Sequence, residues 1–224
     1  MKLPKKGVSL AASLFAFGGF YVVFALLFYI LSAASPFPDG INSAFSEVLA
    51  VACGVLLLKK LTPKTYENEY AEYESGSADE KREERHLLRD ILSGLICGTV
   101  LLFANILYAR YVYGSTDAPD LPLYVMIPLI GILVPLAEEI FFRGALLGYM
   151  KDRGFCRSDY IAFTSIVFAA IHDEKVMPLA LFAGILLGLC CDTSAGKLRF
   201  IPSFIAHAVY NTSLCILAFI GGAN

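Results

Sequence analysis

Apolar residues come in long runs separated by short polar breaks. The runs are Val8–Leu31, Ile41–Leu58, Ile91–Tyr108, Leu123–Tyr149, Tyr160–Ile171, Val176–Cys191 and Phe200–Ile220. A bilayer-spanning helix needs roughly 20 apolar residues, so the pattern predicts an all-α, polytopic transmembrane bundle of about seven spans. The fifth run is short for a span. In the sixth, Ala180, Gly184 and Gly188 recur every four residues. Small residues at that spacing let helix backbones approach closely, which puts this helix inside the bundle rather than against lipid. Ser32-Ala33-Ala34-Ser35 resembles a signal-peptide cleavage site, but the first run has 24 residues and a signal h-region has roughly 7–15. The first run is therefore read as an uncleaved span.

Polar residues gather in one place. Of the 32 residues from Lys59 to Asp90, 16 are charged, seven basic and nine acidic. Glu67 to Glu74 is acidic with interleaved tyrosines, and from Asp79 the charges mix as on a solvated helix. The expected organisation is two N-terminal spans (1–58), a charged cytoplasmic loop (59–90), a third span with an outer loop (91–122) and a C-terminal helix bundle (123–220). The loop reads first as a solvated connector and second as a regulatory or partner-binding segment. His86, inside it, reads as solvated. Glu47, near the start of the second span, is assigned only the favourable interaction of an acid with a helix N-terminus.

Lys and Arg set the orientation. With the N-terminus inside, 15 of the 18 basic residues fall on inner segments, and only Arg110 and Lys175 on outer ones. Arg143 lies within a span. The expectation is N-inside and C-outside, in the cell membrane if the source is bacterial.

Composition narrows the classes. Hydrophobic residues make up 57% of the 224 residues and charged residues 17%, against about 25% charged in soluble domains. This argues against a soluble globular domain, a disordered chain and a disulfide scaffold. A net charge of −2 gives no case for a nucleic-acid partner. Trp is absent, and Tyr108, Tyr124, Tyr149 and Tyr160 fall at span ends, as an interfacial belt requires. The six cysteines show no metal spacing and read as reduced thiols, mostly buried.

Against this background three intramembrane charges stand out. Glu138, Glu139 and Arg143 lie in the middle of the fourth run. Ionisable groups at that depth are costly and should face the bundle interior with a partner. Glu139 and Arg143 are i and i+4 with the acid N-terminal, the favoured pairing order. Glu138 lies about 100° further round the helix and lacks that partner, which suits a general base. The alternative is one buried ion network. His172 ends the fifth run. In the seventh, His207 and Asn211 are i and i+4 and leave the same helix face. Two such histidines with a spare carboxylate can activate water and bind an oxyanion.

Glu138-Glu139-x-x-x-Arg143, Phe168-x-x-x-His172 and His207-x-x-x-Asn211, in that order within about 75 residues, resemble the signature of the CPBP family. That family holds the CAAX-type prenyl-protein endopeptidases and the bacteriocin-processing or bacteriocin-immunity proteins. The Lys-Leu-Arg-Phe-Ile-Pro approach to the last helix also looks like the family pattern. The resemblance covers roughly Leu123 to Phe219. It implies that Glu138 is the general base and His172 its partner on the water, with His207 and Asn211 stabilising the oxyanion. Glu139 and Arg143 would be supporting residues. No serine or cysteine stands where it would serve as a nucleophile, so a directly activated water is preferred to an acyl-enzyme.

Family members are often described as metalloproteases, and Glu138, His172 and His207 could supply a zinc set. The chain has no HExxH, and a mechanism without bound metal is preferred, with zinc as the alternative. The expected function is an intramembrane endopeptidase acting on a membrane-associated, prenylated or leader-bearing protein or peptide substrate. Its site would lie within the bundle, open towards the cytoplasmic half. The alternatives are a non-catalytic bacteriocin-immunity or scaffolding protein and a proton-coupled transporter. One mismatch remains. At about 1.5 Å per residue the depths of Glu138, His172 and His207 agree only loosely, as if the turn after His172 were sunk into a polar cavity.

Overall fold

The computed structural model describes residues 5–61, 77–113, 121–192 and 198–222. Seven helical rods account for nearly all of them: α1 (Lys5–Ala34), α2 (Asp39–Leu61), α3 (Ser77–Tyr108), α4 (Leu123–Asp152), α5 (Arg157–Ala170), α6 (Met177–Cys191) and α7 (Phe200–Gly222). No strand occurs among the described residues; only an isolated bridge joins Asp192 to Leu198.

Five rods are long and apolar enough to cross a bilayer: α1, α2, α3, α4 and α7. The expected count of about seven needs adjusting at the other two. α5 has 14 residues and α6 has 15, which at 1.5 Å per residue is about 22 Å, short of a hydrocarbon core of roughly 30 Å. They pack together as a hairpin. A hairpin returns to the side it came from, so it leaves the expected orientation of the other rods unchanged.

Local chemistry explains where the rods stop. Pro36 and Pro38 break the chain between α1 and α2, and α2 starts at Asp39 with an acid in its first turn. α4 ends at Asp152, and Gly154, just past the Arg153 cap, has a φ of +77° that suits glycine after a helix C-terminus. Pro178 occupies the first turn of α6, where its missing N–H costs nothing. α4 also contains two π-helical stretches, Ile127–Leu133 and Ile140–Leu147, on either side of the glutamate pair. Wider turns of this kind recur at functional sites.

Close backbone approaches fix the packing. A Cβ on Gly184 would lie 2.9 Å from Ser165 Cα, and one on Gly188 3.2 Å from Ile161 Cγ2, so the small-residue face of α6 meets α5 as expected. A second such face, Gly94 and Gly98 on α3, escaped the sequence reading. There a Cβ would come within 2.8 Å of Pro202 O and 2.7 Å of Ala206 O, which presses α3 onto α7.

The charged stretch is less detached than expected. Residues 62–76, with the acidic tyrosine-rich tract, lie outside the described residues, but helix begins again at Ser77 and runs on into the third span. Asp90 is buried and pairs with Arg199 at 2.6 Å. His86 is not simply solvated, since its Nδ1 lies 3.5 Å from Arg199 Nη1. Arg199, just before α7, thus anchors the inner end of α3 against α7. A second polar clamp holds the hairpin. Buried Asp192 accepts from Lys151 Nζ (2.6 Å), Arg157 Nε (2.8 Å) and Tyr160 Oη (2.8 Å). Although burial works against its charge, the lysine and tyrosine hydrogen bonds hold the Asp192 carboxyl below its ordinary value.

Candidate active site

An aromatic ladder crosses the core and ends at two histidines. Phe20 of α1 stacks on Phe141 at 4.6 Å between ring centroids. Phe141 meets Phe142 edge-on at 5.0 Å, and Phe142 meets Phe168 of α5 at 5.2 Å. Phe168 then touches the His172 ring at 4.7 Å and the His207 ring at 5.8 Å. Edge-to-face contacts of this sort fix ring orientation as well as burying area. Phe168 therefore does more than mark a motif: it sets the position of both imidazoles.

Glu139 and Arg143 pair as the spacing predicts, Oε1 to Nη1 at 2.9 Å, and both are essentially inaccessible to solvent. The guanidinium also lies 4.7 Å from the Phe168 ring centroid and donates from Nη2 to Gly184 O at 3.3 Å. A cation held over a ring without water is worth about 2 kcal/mol, which offsets part of the cost of burying it. Glu139 Oε1 also accepts from His207 Nδ1 at 3.0 Å. Arg143, Glu139 and His207 thus form one buried relay, and Glu139 is the residue that orients His207.

The other imidazole nitrogen, His207 Nε2, faces Glu138 Oε2 at 3.2 Å. His172 is held differently. Its Nδ1–H donates to Phe168 O at 2.8 Å. A carbonyl only accepts, so a neutral His172 carries its lone pair on Nε2. His172 stands just beyond the end of α5, in the turn that leads to α6, which accounts for the mismatch in depth. Asn211 lies one turn after His207 and donates from Nδ2 to Ile130 O at 3.2 Å. That uses one of its two N–H groups.

Glu138, His172, His207 and Asn211 line a single cavity of about 350 Å³. Its remaining wall is mostly apolar and includes Phe20 and Phe24 of α1 and Leu179 of α6. Its lining includes Ser43 near the start of α2 and Ile171, His172 and Val176 around the turn after α5, at the end of the bundle opposite the start of α1. With the N-terminus inside, that is the outer half, not the expected cytoplasmic one. Glu139 and Arg143 lie behind the wall.

One polar residue of the wall was passed over in the sequence: Glu47 of α2. Its carboxyl faces the same cavity as that of Glu138 and lies beside it. The signal was an acid within an apolar run, which deserves a functional reading by default; its nearness to the start of the run concealed it.

Among the described residues no three His, Cys, Asp or Glu side chains converge as metal ligands, and both ring nitrogens of His207 face carboxylates.

Comparison with protein families matches residues 120–213 to the family described as type II CAAX prenyl endopeptidase Rce1-like. The match is to 94 of the 224 residues and spans all seven motif residues. No curated protein and no solved structure matches the chain.

Proposed function

We propose that this chain, whose residues 120–213 form a domain of the Rce1-like endopeptidase family of integral membrane proteases, hydrolyses a peptide bond of a membrane-associated protein by a directly activated water. The observation that carries the reading is the cavity itself. Glu138 from α4, His172 from the turn after α5, and His207 and Asn211 from α7 meet at one wall, although up to 73 positions separate them in the chain.

In this mechanism Glu138 takes a proton from a water that also hydrogen-bonds to His172 Nε2. The oxygen of that water attacks the scissile carbonyl. The carbonyl π pair moves onto oxygen, where the Nε2–H of a doubly protonated His207 and the free N–H of Asn211 receive the charge. Donors placed for that oxyanion act on the transition state more than on the bound substrate. The tetrahedral intermediate collapses by breaking the C–N bond, and Glu138 returns its proton to the leaving amine. Glu139 accepts from the Nδ1–H of His207 and, with Arg143, holds the ring in place. Every step uses the chain's own groups.

Two measurements address this reading. Proteomic comparison of membranes carrying wild-type protein or Glu138→Gln should show at least one membrane protein cut only in the wild type. Identical peptide patterns would turn the reading towards immunity or scaffolding. Cleavage by purified protein should survive exhaustive chelation. Activity lost on chelation and restored by zinc, with near-stoichiometric metal bound, would overturn the metal-free mechanism.

A further inference from the structure

Glu47 has no place in the mechanism above, yet it lies eight residues into α2, about 12 Å from the start of the helix. A charge at that depth is expensive. Its Oε1 is buried and has no hydrogen-bond partner among the described residues, while its carboxyl lies against that of Glu138 across the cavity wall. The titratable groups facing this spot are Glu138 from α4, His207 and Tyr210 from α7, and His172 from the turn after α5. The α1 side offers only Phe20 and Phe24. Among the described residues no Lys or Arg lines the cavity to neutralise a second carboxylate.

An ionised carboxylate only accepts hydrogen bonds. Two neighbouring carboxyl groups can bond to each other only through a proton that one of them carries, and like charges side by side in one cavity resist full ionisation. From this geometry we propose that Glu47 is a positioning residue of the active site, sharing one proton with Glu138 throughout the reaction. The inference rests on the reading of Glu138 as the base.

The proton count balances. At rest the pair carries one proton and one negative charge, with the shared proton on Glu47 and an open lone pair on Glu138. When water attacks, its proton goes to Glu138 and the pair is neutral. When the C–N bond breaks, that proton goes to the amine nitrogen and the pair regains its single charge. Glu47 keeps its own proton as a donor to Glu138 and spares the cavity a double negative charge.

Coupled carboxyls lose their protons in two separated steps that belong to the pair. The test is infrared difference titration of the protonated-carboxyl band in purified full-length protein, comparing wild type, Glu47→Gln, Glu138→Gln and the double variant. Melting temperature and size-exclusion profile establish that each variant is folded, and if Glu47→Gln fails, Glu47→Asp, which keeps the acid, takes its place against Glu138→Asp. In the glutamine series wild type should show two carboxyl steps beyond the double-variant background, and each single variant one step at a pH matching neither wild-type step. In the aspartate series the pair should persist with both steps displaced together. A wild-type curve equal to the sum of the two single-variant contributions, or one step unmoved when the other residue is shortened, would overturn the pairing. This readout needs no substrate. A coupled pair in a protein whose Glu138→Gln variant still cleaves would leave the pairing standing and remove Glu138 as the base.

Discussion

At the scale of single residues, Asn211 is where two roles can be separated most cleanly. Its Nδ2 already donates to Ile130 O, so it ties α7 to α4; its second N–H is the proposed oxyanion donor. If the second role holds, Asn211→Ala should lower single-turnover rate by roughly 10²–10³ with little change in substrate binding. If only the tie to Ile130 matters, the melting temperature should fall and the folded fraction should turn over at the wild-type rate. Both quantities are measured on the same preparation. Residue spacing made this pair, and the Glu139–Arg143 pair, legible beforehand, because i and i+4 is a property of the helix alone. Glu47 was not legible in that way. It is 91 positions from Glu138, and only the packing of α2 against α4 brings the two carboxyls together. The same holds for Glu139 and His207: the sequence shows a carboxylate bound to Arg143, and only the fold shows that it also orients an imidazole.

At the scale of helices, the site depends on how closely α3 and α7 approach. Gly98 faces Ala206 O, directly before His207, and a Cβ there would lie at 2.7 Å. Backbone cannot give way as a flexible side chain does. Gly98→Ala should therefore destabilise the protein by about 1–3 kcal/mol and displace His207 enough to slow cleavage in the molecules that remain folded. Thermal melting together with turnover checks this; a variant with wild-type melting temperature and rate would contradict the packing account. Apolar runs placed six of the seven rods within a few residues of where they occur, since hydrophobic length is written locally; α3 starts at Ser77, well before its apolar run at Ile91. The shortness of the fifth run was legible too, but not that the fifth and sixth pair as a hairpin clamped where Lys151, Arg157 and Tyr160 meet Asp192. The runs could not show the π-helical turns either, since nothing in Ile-Phe-Phe-Arg-Gly-Ala-Leu-Leu marks a wider turn.

At the scale of the molecule, orientation decides which substrates can reach the cavity. The basic residues favour N-inside, which puts the cavity towards the outer half. That arrangement favours a substrate presented from the outer half over a cytoplasmic prenylated tail. Cys156 is exposed in the turn between α4 and α5, on the proposed inner side. A membrane-impermeant maleimide should leave Cys156 unmodified in intact cells and modify it once the membrane is permeabilised, with Cys156→Ser as the control. Modification in intact cells would reverse the topology and turn the cavity to the cytoplasm. Deeper than topology lies the chemistry, in which Glu138 is the proposed acceptor of the attacking water's proton. Glu138→Gln keeps the shape of the side chain and removes the base. The most direct test is the single-turnover rate of purified wild type and Glu138→Gln on a substrate identified from membranes, alongside melting curves. The account predicts a fall of about 10²-fold or more in a protein that still folds. Cleavage at the wild-type rate by folded Glu138→Gln protein would contradict it.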